Sequence, residues 1–186
     1  MLEFFYKIKC LLRGILYRVF GIKGFRKIGC NFKIFGSKGI FAESCSVGDN
    51  CWFQAVHSYK GIRYTPCIRI GKETMFSSNV HISAVSNIKI GSECLFGSNI
   101  YVGDHSHGST KIGLFDTESA PALKALDDIE DIFIGDRVWV GDGVVILAGT
   151  YIGSNSVVAA NSVVKGIFPN NSLIAGVPAN KIRSYQ

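Results

Sequence analysis

An all-β solenoid of short three-sided coils is the fold class this sequence predicts, and three observations predict it. From Ile134 to Val164 an aliphatic residue recurs at every sixth position: Ile134, Val140, Ile146, Ile152, Val158 and Val164. The fifth place of each six is small or branched (Val138, Val144, Thr150, Ser156, Ser162), and glycine follows the aliphatic residue at Gly135, Gly141 and Gly153. A helix would space its apolar positions three to four apart and a strand two apart, so a fixed six marks a repeat architecture. Three sixes close one turn of about eighteen residues, with a short strand on each side and the aliphatic column inside. Such coils are too thin to bury a core alone and gain stability by stacking on their neighbours.

The phase extends toward the N-terminus with slips. Ile28, Ile34 and Ile40 open it, and Val47 and Phe53 resume it after one extra residue. Ile70, Phe76 and Ile82 follow a short insertion; Ile90, Phe96 and Val102 follow two further residues. The 186-residue chain is therefore expected to be one domain of about six coils and a terminal element. Its parts are an N-terminal segment 1–27, a solenoid 28–183 and a tail 184–186.

Within the first segment, Leu2 to Phe20 mixes Phe4, Phe5, Ile8, Leu11, Leu12, Ile15, Leu16, Val19 and Phe20 with Lys7, Lys9, Arg13 and Arg18, the pattern of an amphipathic helix. The charges interrupt each apolar run, so neither a secretory h-region nor a spanning helix of about twenty apolar residues is expected here. Two roles stay open: packing on the first coil, or peripheral contact of residues 2–20 with an anionic membrane. Both place the chain in the cytoplasm. Residues 1–38 hold nine of the 20 Lys and Arg but one of the 14 Asp and Glu. The solenoid body is thus slightly acidic, which argues against a nucleic-acid partner. Six cysteines, Cys10, Cys30, Cys45, Cys51, Cys67 and Cys94, form no C-x-x-C pair or disulfide framework and point to a reducing compartment. Cys51 and Cys94 occupy fifth places, as compact apolar fillers.

The repeat stops after Val102 and resumes at Ile134. The intervening loop 103–131 opens with Gly103-Asp104-His105-Ser106-His107-Gly108 and ends in the acidic run Asp127-Asp128-Ile129-Glu130-Asp131. Long loops on rigid scaffolds are where sites concentrate, and histidine exchanges protons near neutral pH. His57, His81 and His105 are 24 residues apart, a spacing that invites a zinc reading; the slips between them spoil simple stacking, and no metal is expected. Trp139, just past the loop, is placed to stack on a ligand or to cover the loop root.

These residues resemble the hexapeptide-repeat acyltransferases, the left-handed parallel β-helix family that includes maltose and galactoside acetyltransferases. The likeness is carried by Ile134-Gly-Asp-Arg-Val-Trp-Val-Gly through Gly153, by Val157 to Val164, by the ending Ile174-Ala-Gly-Val-Pro-Ala-Asn-Lys-Ile-Arg183, and by the Asp-His-Ser-His-Gly loop. The resemblance alone supplies the left-handed sense, since parallel crossovers are otherwise right-handed. It implies acetyl transfer from acetyl-coenzyme A (acetyl-CoA) to a sugar hydroxyl, in assembly of capsule, lipopolysaccharide or exopolysaccharide, by a homotrimer with sites between subunits. The alternatives are acetylation of a xenobiotic or small metabolite, a silent trimeric scaffold, and carbonic-anhydrase-like metal chemistry. An ungapped count from Ile90-Gly91 lays His107 on the family's catalytic histidine. The Asp104-His105 pair is its rival, with Asp104 orienting the imidazole. By the same resemblance Trp139 would contact the acceptor. Gly141, Asp142, Ala159, Ala160 and Lys165 would line the pantetheine groove, and Lys181 and Arg183 would reach the nucleotide phosphates. The family's Thr-Lys-Asp step is shortened here to Lys165-Gly166.

Overall fold

The computed structural model describes residues 2–185 and, for Leu2, the backbone only. After a helix α1 (Leu2–Val19), strands of three parallel sheets follow one another in strict rotation and wind into the left-handed β-helix that the resemblance implied. The first face of this prism stacks Phe25–Ile28, Cys45–Val47, Met75–Phe76, Leu95–Phe96, Trp139–Val140, Val157–Val158 and Ser172–Gly176, and is closed by the antiparallel Ala179–Ser184. The second stacks Lys33–Phe35, Trp52–Ala55, His81–Ala84, Tyr101–Gly103, Val145–Ile146 and Val163–Val164. The third stacks Ile40–Ala42, Cys67–Ile70, Asn87–Ile90, Ile132–Ile134, Tyr151–Ile152 and Ile167–Phe168.

The sixfold column is the core. Ile28, Phe53, Ile82, Phe96, Val102, Ile134, Val140, Ile146, Ile152 and Val164 are all buried, and those on one face sit in register, as in Phe53, Ile82, Val102, Ile146 and Val164. Ile34 alone of the predicted column is only half-buried. It belongs to the first coil, which has no coil beneath it on that face. The fifth places are buried as well, and their short side chains do more than fill space. Cys45, Cys51 and Cys94 donate weakly to the carbonyls of Gly71, Ser77 and Gly135 in the next coil, and the Thr74 hydroxyl donates to Gly91 O at 2.8 Å. Burial pushes the Cys45 and Cys51 thiols up to about 11, so they are inert packing groups.

Two of the three corners are regular. The first-to-second corner turns through left-handed residues at Asn31, Asn50, Asn79, Asn99, Gly143 and Asn161. The third-to-first corner does so at Ser44, Glu73, Glu93, Arg137, Asn155 and Asn171. Asparagine tolerates this conformation and here also ladders: Asn31 Nδ2 donates to Asn50 Oδ1 at 3.1 Å, and Asn79 Nδ2 to Asn99 Oδ1 at 3.0 Å. The second-to-third corner has no such series. It ejects residues 56–66 from the second coil and 104–131 from the fourth.

Helix α1 lies over the first coil, as one of the two sequence readings expected, but it does so with its less apolar side. Cys10 and Gly14 are buried, and any side chain at Gly14 would strike the carbonyl of Arg26. Arg13 Nη1 donates to Ile28 O at 2.8 Å, Tyr17 Oη to Phe32 O at 3.0 Å, and Tyr6 Oη to Asp49 Oδ1 at 2.7 Å. No helix among the described residues is long and apolar enough to cross a membrane.

Candidate active site

The ejected loop is pinned where it leaves and where it returns, and both pins lie on the bend that connects the second and third faces of the third coil. Here the chain turns at Val85 and Ser86, whose N–H groups would otherwise lack partners. The Asp104 carboxylate accepts both, at 2.9 Å from Val85 and 2.8 Å from Ser86, and is fully buried. A buried carboxylate needs such donors to offset its lost hydration. Its Oδ1 also faces His105 Nδ1 at 2.8 Å, and the His105 side chain is itself only 7% exposed. A carboxylate accepts and does not donate, so Nδ1 is the donor in this pair and Nε2 is the ring nitrogen left for proton exchange. At the returning end Ser86 Oγ donates to Asp131 Oδ1 at 2.8 Å.

His107 has a different setting. It is exposed on a two-residue strand, Ser106–His107, paired antiparallel with Leu126–Asp127. Its ring meets the Tyr59 ring edge-on at 5.4 Å. The structure thus brings Asp104 and His105 together as a hydrogen-bonded pair and leaves His107 on the rim beside it. Asp128 holds the rest of the loop: it accepts from Ser109 Oγ at 2.9 Å, Thr110 N at 2.6 Å and Thr110 Oγ1 at 2.7 Å. The Thr110 hydroxyl and backbone bonds keep its carboxyl far below the usual carboxylate range.

The sequence reading missed that the two insertions meet. Tyr59 and Tyr64, from residues 56–66, donate to Ala122 O at 3.1 Å and Leu126 O at 3.4 Å in the long loop. They pack on a small second core of Val56, Val85 and Leu126. The available signal was the phase slip between Phe53 and Ile70, which falls at the same corner as the larger one. Below the loop root, the outward side of the second face carries an aromatic column. Trp52 stacks on His81 at 4.2 Å, and Tyr101 follows edge-on at 5.4 Å. Burial, and secondarily the nearby His105 imidazole, push the His81 imidazole below its ordinary value, so it stays neutral near pH 7. His57 lies apart, over Gly36 and Gly39, and no metal-ligating cluster of three forms among the described residues.

The remaining candidates are spread over the prism. Trp139 is 54% exposed on the first face, in register with Leu95 and Val157, so in one chain it does not face the loop root. Gly141, Asp142, Ala159 and Ala160 line the first-to-second corner. There Asp142 Oδ1 accepts Ser98 N at 2.6 Å, as Asp136 accepts Ser92 N at 2.8 Å one corner earlier, and a Cβ at Gly141 would lie 2.7 Å from Ala160 N. These contacts join coils. Lys165 is exposed on the second-to-third corner, two coils beyond the loop root, while Lys181 and Arg183 are exposed on the closing antiparallel strand. Between these two corners the second face carries Val145 and Val163, paired in register and half-buried.

The sixfold repeat that builds this prism is shared with bacterial transferases. Residues 131–166 match the family model "Bacterial transferase hexapeptide (six repeats)". Over 108 residues the chain is 42% identical to WbbJ of Escherichia coli K12, assigned as a lipopolysaccharide-biosynthesis O-acetyltransferase; the match spans 57% of this chain and 55% of that one. A hexapeptide-repeat acetyltransferase of Vibrio cholerae is similar in structure at 27% identity, with 96% of this chain and 86% of that one covered and a TM-score of 0.60; the same protein solved with acetyl-CoA gives 0.57 at 28% identity over 89% of this chain and 73% of that one. A galactoside acetyltransferase in complex with coenzyme A is 28% identical over 74% of this chain and 64% of its own, with a TM-score of 0.55. The chain carries the family's hexapeptide repeat over residues 131–166, shares the fold of the hexapeptide-repeat acetyltransferases, and spans about half the length of the curated relative it matches.

Proposed function

We propose that the protein is an acetyl-CoA-dependent O-acetyltransferase whose acceptor is a sugar hydroxyl of a surface polysaccharide, with His105 as the general base. The observation that carries this reading is the Asp104–His105 hydrogen bond of 2.8 Å, with Asp104 buried and fixed by two backbone donors. A hydroxyl attacks a thioester only as its proton is removed. In this reading His105 Nε2 takes that proton while the hydroxyl oxygen bonds to the acetyl carbon. As the carbon–sulfur bond breaks, the same proton passes to the departing thiolate, giving an acetyl ester and free thiol. Asp104 is a positioning residue that fixes the tautomer and stabilises the imidazolium.

The strip bounded by Gly141, Ala159, Ala160 and Lys165 suits a thin pantetheine arm, and Lys181 and Arg183, exposed on the closing strand, would meet phosphate charge. Trp139 lies on another face, so it would complete the site from a neighbouring copy, as the trimer implied by the family requires. The lipopolysaccharide assignment of the E. coli relative and the galactoside substrate class of the structural relative support a sugar acceptor.

Acetyl-CoA binding to the purified protein by calorimetry is the first test, with saturation near one site per chain expected. Acetyl transfer to a panel of glycans would follow. His105→Ala should lower kcat by about 10²- to 10⁴-fold with acetyl-CoA binding retained. A second reading assigns the base to His107, which is exposed on the rim; if His107→Ala abolishes turnover and His105→Ala does not, that reading replaces the first. Absence of acetyl-CoA binding would sink both.

A further inference from the structure

Helix α1 is inverted relative to an ordinary surface helix. Its packed side is the one bearing Tyr6, Cys10, Arg13, Gly14 and Tyr17. At about 100° per residue, these positions centre roughly opposite Phe4, Ile8, Leu11, Leu12, Ile15 and Val19. The latter are all exposed, Leu12 at 59%, Ile15 at 55% and Val19 at 76%. Phe5, Leu16 and Phe20 widen the same exposed strip. The outward side is therefore a continuous apolar band running the length of the helix, facing away from the stack. A contiguous patch of this kind marks an interaction surface.

Charge decides between occupants. Lys9 borders the band on one side and Lys7 and Arg18 on the other, all exposed, and the exposed Lys23 follows the helix. The helix holds one acidic residue, Glu3, which is already paired with Lys7 at 2.6 Å. A second copy of this helix would set cation against cation with no carboxylate to answer them. A bilayer with anionic headgroups answers both features, since the apolar band enters the headgroup–acyl boundary and the flanking cations meet lipid phosphates. The basic excess of residues 1–38 lies at this same end.

We propose that α1 docks the protein on an anionic lipid bilayer, apolar band inward, while its other side stays clamped to the first coil. The inference does not depend on the acyl-transfer reading.

The test is co-flotation of the full chain with vesicles of phosphatidylcholine alone or with phosphatidylglycerol at about one third of the lipid. Binding at least tenfold stronger to the anionic vesicles is expected, weakening as salt rises toward 0.5 M through screening. The double variant Leu12→Glu, Ile15→Glu touches only exposed positions; it should retain the wild-type circular dichroism and lose binding by tenfold or more. Lys9→Glu with Arg18→Glu should lose the anionic preference. Failure of the wild type to float, or flotation unchanged by Leu12→Glu, Ile15→Glu, overturns the proposal. So does light scattering in which that variant drops to a smaller oligomer while the wild type ignores vesicles, which would make the band a contact between copies. Acetyl-CoA binding measured on the same variant keeps this outcome separate from that of the catalytic reading.

Discussion

The two regular corners of the prism and the irregular one are made by different means. At the regular corners each coil repeats its neighbour: a left-handed asparagine, glycine or exposed polar residue turns the chain, and a carboxylate such as Asp136 or Asp142 caps the N–H one coil back. At the second-to-third corner the coils share no single solution. Gly36 turns the first, residues 56–66 leave the second, Val85 and Ser86 bend the third, the long loop leaves the fourth, and Gly149 and Gly166 turn the last two. The repeating corners set the scaffold, and the corner that breaks the repeat gathers three of the four histidines, His57, His105 and His107. A chemical site needs unlike residues at fixed positions, which a repeat cannot supply.

The comparison can be broken most severely from inside. Ile146→Asp buries an unpaired charge in the column and should cost roughly 3–5 kcal/mol or more, enough to leave the chain unfolded by circular dichroism; a folded, soluble variant would refute the assigned register. At a regular corner, Gly143→Val forces a β-branched residue into a left-handed φ of 70° and against Asn161 Oδ1. A loss of about 2 kcal/mol is expected from chemical denaturation. At the irregular corner the effect should be local: Asp128→Ala removes the anchor of Ser109 and Thr110 and should speed proteolysis within 108–131 several-fold, with the melting temperature moved by no more than about 2 °C. The smallest effect concerns pH. The folded pKa of His81 is depressed, so its contribution to stability is complete above the unfolded value of about 6.5 and is lost as pH falls from there toward the folded value. His81→Phe, which keeps an aromatic ring in the Trp52 stack, should flatten the melting-temperature profile between pH 7 and 5; an unchanged slope would exclude His81 as its source.

What could be read in advance follows the same division. The sixfold column is legible because burial on a stacked coil repeats with the chain, so Ile134 to Val164 announces itself without any partner being known. The helix is legible from its pattern, but not the side it buries: Arg13 and Tyr17 win the solenoid contact because the first coil offers them carbonyls at Ile28 and Phe32. The loop's existence is legible from the missing sixes, yet the contact between Tyr59 and His107 is not, since their separation in sequence obeys no period.

By itself, then, the sequence determined the three-sided coil, its inward column, the amphipathic helix and the place where the repeat breaks, all consequences of local hydrophobic spacing. Tertiary structure decided which imidazole sits against a buried carboxylate, which face of α1 is left bare, and that Trp139 lies away from the loop root. Those outcomes depend on how distant, non-repeating segments share backbone donors and surface, and spacing along a chain carries no record of that.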